Sequence, residues 1–400
     1  MKIFIFSFLL FVQHMSLAAY SLSAHQKTRR DFHNGALAIG GCLTGIKFPS
    51  LGMGTWCSAM DGAANAIDSG ALGSEEASAS TIAFKALQLP VNRFGTTVPV
   101  ACWYPVGDQV STTQSNARGG GGGGVKYSHR ISVKRIGQLL AGWDFIPEFF
   151  SRKFVFTPKS SLLDGGEISF PSSPKVVFLA HGYLGSRFDL SHIGEELASQ
   201  GFVCISAEYP ESLAASYQRQ EGLDRGVINK VLLDYVQSNL KPSSYAGIGH
   251  SLGCGTILNM GDSSWTRILI AGRAPAASSS PLLFISSVND GAVAFGGPMV
   301  IPDGYTMLEE SNIPSKIPST SALIFDRADA PNHISYLSEN VNEAMVSFLS
   351  PLLPVAQALS IPVLDFDKYQ TSRDSVPTFE ILKPVITTFL AQQMTDSKEH

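Results

Sequence analysis

The chain has 400 residues, 44% hydrophobic and 16% charged, which supplies a large core under a surface that must draw on Ser, Thr, Asn and Gly. Its net charge is −4 and it holds no run of clustered Lys and Arg, so a nucleic-acid partner is excluded and an anionic membrane offers no electrostatic attraction. The five cysteines (Cys42, Cys57, Cys102, Cys204, Cys254) form no C-x-x-C pair, which indicates neither a zinc site nor a closed disulfide framework. Cys204 and Cys254 lie in apolar runs and read as small core residues. A Cys42–Cys57 bridge requires an oxidising compartment.

Residues 1–19 read as a signal peptide: Lys2, an apolar run over 3–12, then Ser16, Ala18 and Ala19. The run is short for a bilayer span of about 20 residues, although a retained anchor is the competing reading. Residues 20–60 hold one acid, Asp31, against Lys27, Arg29, Arg30 and Lys47, the composition of a transit segment. Signal followed by transit resembles the two-part leader of algae with secondary plastids. The expected location is therefore a plastid reached through the secretory route, or the exterior if the second segment is only a loose stretch. The mature chain is expected to be soluble or peripherally membrane-associated, because no later apolar run is long enough to cross a bilayer.

Residues 61–95 are rich in Ala and Ser without a period and find no place. The catalytic domain is expected over 96–350, with 351–400 completing it. Residues 98–105 predict a strand ending in Pro105. Six glycines at 119–124 predict a loop between early strands. The wholly apolar run 176–180 predicts a strand covered on both faces, and 190–200 a helix capped by Gly201. Strands follow at 202–205, 245–249, 268–271, 282–285 and 322–325. Helices are expected at 227–236, where apolar residues recur at helical spacing, at 253–260 and from Glu339 to Leu349. The alternation predicts an α/β fold: a doubly wound, mostly parallel sheet with helices on both faces.

Gly249-His250-Ser251-Leu252-Gly253 matches G-x-S-x-G between a predicted strand and a predicted helix, the context that motif requires. Ser251 is the candidate nucleophile and the Leu252 amide one oxyanion donor. His181-Gly182-Tyr183 follows the 176–180 strand, where the second donor belongs, and the Tyr183 amide is assigned to it. The chain order of such triads is serine, acid, histidine. His333 is the one histidine between Ser251 and the terminal His400, which makes it the candidate base. Asp290 follows the 282–285 strand and is the candidate acid. Asp262 lies too close to the nucleophile's helix. Asp326 and Asp329 lie on the histidine's own loop and read as solvated, and His250 as a packing or hydrogen-bonding residue. No metal and no organic cofactor is expected.

With these motifs the chain resembles the lipase-like branch of the α/β-hydrolase superfamily. Its members include chlorophyllases, dienelactone-hydrolase-like esterases and the plasma type of platelet-activating-factor acetylhydrolase. The matching pieces are 100–105, 179–188, 195–210 and 249–255, within about 96–345. Chlorophyllases usually carry Arg and Gly where Leu252 and Cys254 stand. The acetylhydrolases carry their acid one strand earlier, where Ala271-Gly272-Arg273-Ala274 offers none. The resemblance implies a serine carboxylic-ester hydrolase with a small lipophilic ester as its partner. Combined with the leader, it implies cleavage of chlorophyll to chlorophyllide and phytol. A secreted lipid esterase and a catalytically silent ligand-binding homologue are the alternatives. For a long phytyl chain, the neighbourhood of Phe188 and the loop 292–301 are the expected lining.

Overall fold

The computed structural model describes residues 81–91, 96–106, 125–132, 134–135, 138, 151–166, 168–213, 223–276, 280–295, 299–343 and 371–394. The leader at 1–60, the glycine run at 119–124, Cys42 and Cys57 lie outside the described residues.

The strands are β1 (Ile82–Pro90), β2 (Thr97–Pro105), β3 (Tyr127–Ser132), β4 (Ser151–Phe156), β5 (Leu162–Asp164), β6 (Lys175–Ala180), β7 (Val203–Ala207), β8 (Ser244–His250), β9 (Thr266–Ile270), β10 (Leu282–Ser287), β11 (Thr306–Leu308) and β12 (Thr320–Phe325). The helices are α1 (Ser191–Ser199), α2 (Arg225–Asn239), α3 (Leu252–Leu258), α4 (Gly291–Phe295) and α5 (Ser375–Gln393). Strands β3 and β4 pair as a separate antiparallel ribbon. The other ten form one sheet in the order β11-β12-β10-β9-β8-β6-β7-β2-β1-β5. Neighbours from β12 to β7 run parallel, whereas β2 is antiparallel to both β1 and β7. This is the doubly wound, mostly parallel architecture expected.

Strand periodicity sorts the core into two layers. On β2 and β6, Ala101, Trp103, Val177 and Leu179 face one layer with Ile193 and Leu197 of α1 and Phe379, Leu382 and Phe389 of α5. Val100, Cys102, Tyr104, Val176 and Phe178 face the other, with Ile228, Leu232 and Val236 of α2 and Cys254 and Ile257 of α3. Both faces of the sheet are therefore buried, which is why its central strands are almost uniformly apolar. Gly201, at φ +95°, lets the chain leave α1 and turn into β7. Asp224 caps α2 by accepting the Val227 amide at 2.8 Å.

Three elements differ from the sequence expectation. Residues 82–90, left unplaced, form β1 and pair with β2 along their whole length. The β3–β4 ribbon is tied to the body by a buried chain: Trp103 Nε1 donates to Tyr127 Oη at 2.6 Å, and Tyr127 donates to Glu195 Oε1 at 2.7 Å. Residues 291–295 are a short helix, α4, where a connector was expected. Among the described residues no helix is long and apolar enough to cross a membrane.

Candidate active site

The sheet order reverses at β6. From there the chain moves to β7 on one side, then crosses back to β8 on the other. Ligands of such sheets sit at the carboxyl ends of the strands flanking that switch. Here β6 runs out into His181, Gly182 and Tyr183, and β8 runs out into Ser251.

Ser251 stands between β8 and α3 at φ 55° and ψ −120°, a left-handed conformation that a non-glycine residue holds only when its surroundings impose it. The Ser251 amide donates to Ile270 O at 2.9 Å, and its carbonyl accepts the Cys254 amide at 3.0 Å. The flanking glycines permit this turn by lacking a side chain. A Cβ on Gly253 would overlap the Ala180 carbonyl, and one on Gly249 would overlap the Gly253 carbonyl. Buried Cys254 donates its thiol to Gly249 O at 3.2 Å and Ile270 O at 3.3 Å, and burial pushes that thiol up to about 12.

His333 Nε2 lies 2.9 Å from Ser251 Oγ, and His333 Nδ1 lies 2.9 and 3.0 Å from the two carboxyl oxygens of Asp290. An ionised carboxylate only accepts, so Nδ1 carries the proton and Nε2 offers its lone pair to the serine hydroxyl. Asp290 is 1% exposed, whereas the His333 side chain is 17% exposed and open to a reacting group. The three side chains come from the loops after β8, β10 and β12. The sheet order and the placement of these loops are those of the α/β-hydrolase fold.

The site is braced by residues the sequence did not single out. Asn289 Nδ2 donates to Ala328 O at 3.0 Å and Ala330 O at 2.9 Å, tying the acid's loop to the histidine's. Asn332 Oδ1 accepts the amides of Ile334 and Ser335 at 2.9 and 3.1 Å. Asp326 and Asp329 are exposed, as expected, and Asp329 pairs with Arg373 at 3.1 Å. His250 is buried and its Nε2 meets the His333 carbonyl, the hydrogen-bonding part expected of it.

Gly182 presses against Ser251: a Cβ there would lie 3.0 Å from Ser251 Cβ. The Tyr183 amide therefore belongs to a loop in contact with Ser251, and Leu252 opens α3 directly after it. Phe188, expected to line a cleft, instead stacks on Tyr127 at 4.9 Å and is 2% exposed. An aromatic ring so placed fills the core and cannot contact a substrate. A cavity of about 260 Å³ is lined by Tyr127, His192, Glu195 and Phe379.

No family profile matches the chain. Over 120 residues it is 30% identical to Cutinase 1 of Thermobifida cellulosilytica, covering 28% of this chain and 45% of that protein. It is also 30% identical over 120 residues to the cutinase of Thermobifida fusca strain YX, covering 40% of that protein. The chain thus spans less than half the length of these relatives. Among solved structures, a ferulic acid esterase from Streptomyces cinnamoneus aligns with TM-score 0.42 at 13% identity, over 79% of this chain and 91% of that one. A lidless α/β serine hydrolase from Xanthomonas campestris aligns with TM-score 0.33 at 12% identity, over 68% of this chain and 96% of that one.

Proposed function

We propose that the protein hydrolyses carboxylic esters through Ser251. The observation that carries this reading is the unbroken hydrogen-bonded chain from Ser251 Oγ through His333 to Asp290. In the proposed cycle His333 takes the hydroxyl proton as Ser251 attacks the ester carbonyl, and Asp290 steadies the imidazolium that forms. The Tyr183 and Leu252 amides receive the oxyanion, each donor contributing a few kcal/mol in sites of this kind. His333 returns the proton to the departing alcohol, and water then releases the acid from Ser251. The cutinase relatives support an ester as substrate. Labelling by a fluorophosphonate, with hydrolysis of p-nitrophenyl butyrate, tests the reading: both must be present in the wild type and absent in Ser251→Ala.

The finer proposal is a lipophilic ester, with chlorophyll as the named candidate. It is supported by the leader composition over 1–60 and by the resemblance at Gly249–Ser251, and Leu252 adds a half-exposed apolar side chain beside the nucleophile. The matching location is a plastid entered through the secretory route, with peripheral contact to a membrane that holds the substrate. Chlorophyll a in mild detergent, incubated with the full chain, should yield chlorophyllide. Brisk cleavage of short acetyl esters with chlorophyll left intact would replace this candidate with a general lipid esterase.

A further inference from the structure

Arg225, the first residue of α2, reaches both segments that supply the two oxyanion amides. Its Nη1 donates to the His181 carbonyl at 3.0 Å and to Thr256 Oγ1 at 2.7 Å, and Nη2 lies 3.4 Å from the Gly182 carbonyl. His181 and Gly182 precede Tyr183, while Thr256 lies on α3, which opens with Leu252. The guanidinium is itself held: Nε donates to Glu211 Oε2 at 3.0 Å, its plane covers the Tyr209 ring at 4.4 Å, and the side chain is 13% exposed.

The Gly182 carbonyl is held from two directions. His181 Nε2 accepts the Tyr209 amide at 2.9 Å, so the His181 proton sits on Nδ1, which lies 2.7 Å from Gly182 O and donates to it. Burial, and then the Arg225 charge, lower His181 to about 4, so this neutral tautomer persists at physiological pH. No cis peptide occurs among the described residues. In the trans peptide joining Gly182 to Tyr183, the N–H therefore points opposite to the carbonyl. Drawing that carbonyl toward Arg225 and His181 turns the Tyr183 amide the other way, in a loop whose Gly182 abuts Ser251. The next residue, Leu184, sits at φ 59° and donates its amide to Glu211 O at 3.1 Å, anchoring the following peptide, 183–184, to Arg225's ion-pair partner.

We propose that Arg225 is a positioning residue for the oxyanion hole: it fixes the 182–183 peptide so that the Tyr183 amide meets the developing negative charge. Glu211 and His181 complete the clamp. A cation hydrogen-bonded to the carbonyl side of a peptide also polarises its N–H, which strengthens the donor. This inference rests on the reading of Ser251 as an ester-hydrolysing nucleophile.

The test uses the full chain, p-nitrophenyl butyrate, and an aryl trifluoromethyl ketone, which places an oxyanion on the attacked carbon. Failure of the wild type to hydrolyse the ester and bind the ketone would remove the nucleophile reading itself. With wild-type activity established, Arg225→Met should lower kcat by about 10²-fold, as loss of one oxyanion donor does, with KM changed by less than about threefold. Ketone affinity should fall by the same factor as kcat/KM, because both report stabilisation of the charged adduct. Arg225→Lys, a single ammonium unable to serve both carbonyls, should recover only part of the loss. Unchanged kcat, a change confined to KM, or lost kcat with ketone affinity intact would each overturn the proposal. If Arg225→Met fails to fold, Arg225→Lys and Glu211→Gln decide: parallel losses in kcat and ketone affinity support the clamp, and wild-type values in both overturn it.

Discussion

His250 Nε2 donates to the carbonyl oxygen of His333 at 2.9 Å, and the two rings lie 4.8 Å apart. The residue preceding Ser251 therefore braces the backbone of His333. Burial, and then the neighbouring His333, lower His250 to about 3, which keeps it neutral and unsuited to accept the serine proton itself. His250→Ala should slacken the site and lower kcat roughly tenfold, against about 10⁴-fold for His333→Ala. Both are measured with one ester under saturating conditions. Equal losses would exchange the two roles.

The acid assignment divides three aspartates. Asp290 is enclosed and faces His333 Nδ1, whereas Asp326 and Asp329 face solvent. Asp290→Asn should cost about 10⁴ in kcat, because an amide can hold the imidazole in the wrong tautomer. Asp326→Asn and Asp329→Asn should stay within about twofold of wild type, as surface substitutions do. A dead Asp329→Asn with an active Asp290→Asn would move the acid onto the histidine's loop.

Asp189 gives the fold a pH dependence of defined sign. Its side chain is buried and accepts from the Ser186 amide at 2.9 Å and the Ser186 hydroxyl at 3.0 Å, and desolvation still raises it to about 7. The unfolded chain loses this proton near pH 3.9, so from about pH 4 to 7 the folded state binds more protons and stability falls as pH rises. Asp189→Asn removes that titration. Its stability relative to wild type should rise by on the order of 1–3 kcal/mol between about pH 5 and 8, levelling off above 7. Urea midpoints at those two pH values measure it, and a difference independent of pH would contradict the burial argument.

Cys102, Cys204 and Cys254 are enclosed in the core, and burial raises all three thiols. Alkylation by iodoacetamide, mapped by mass spectrometry, should leave these positions unmodified in the native protein and modify them in guanidinium chloride. Labelling at Cys254 under native conditions would mean that α3 opens far more readily than its packing implies.

Ser251, Asp290 and His333 could be read from the sequence because each follows an apolar strand, and because the elbow's glycines leave a local signature. The central strands were equally legible, since burial on both faces makes them continuous apolar runs. β1 was not, because Lys85 and Gln88 interrupt its apolar character where the strand nears the sheet edge. The β3–β4 ribbon mixes polar, basic and apolar residues without a clean alternation, and Tyr127 ties it to the body through a hydrogen bond that no sequence period announces. Arg225 lacks a signature altogether. A lone arginine at a helix start gains meaning only when the chain brings His181, Gly182 and Thr256 around it. Phe188 misled for the opposite reason: an aromatic just past an oxyanion loop suggests a substrate wall, but the ribbon supplies Tyr127 to cover it.

The backbone-to-backbone packing at Gly249 and Gly253 separates what this molecule does from what it is. Exchanging the Ser251 hydroxyl for hydrogen removes its bond to His333 but none of the backbone packing, so descendants of this chain could lose the proposed chemistry in one step and go on folding. The two glycines have no such freedom, because any side chain there meets the carbonyl of Ala180 or of Gly253. A lineage drifting into a silent, ligand-binding life would keep both glycines long after its serine had gone. The elbow's outline in a sequence is thus a record of ancestry, and only the residue at its apex reports the present trade.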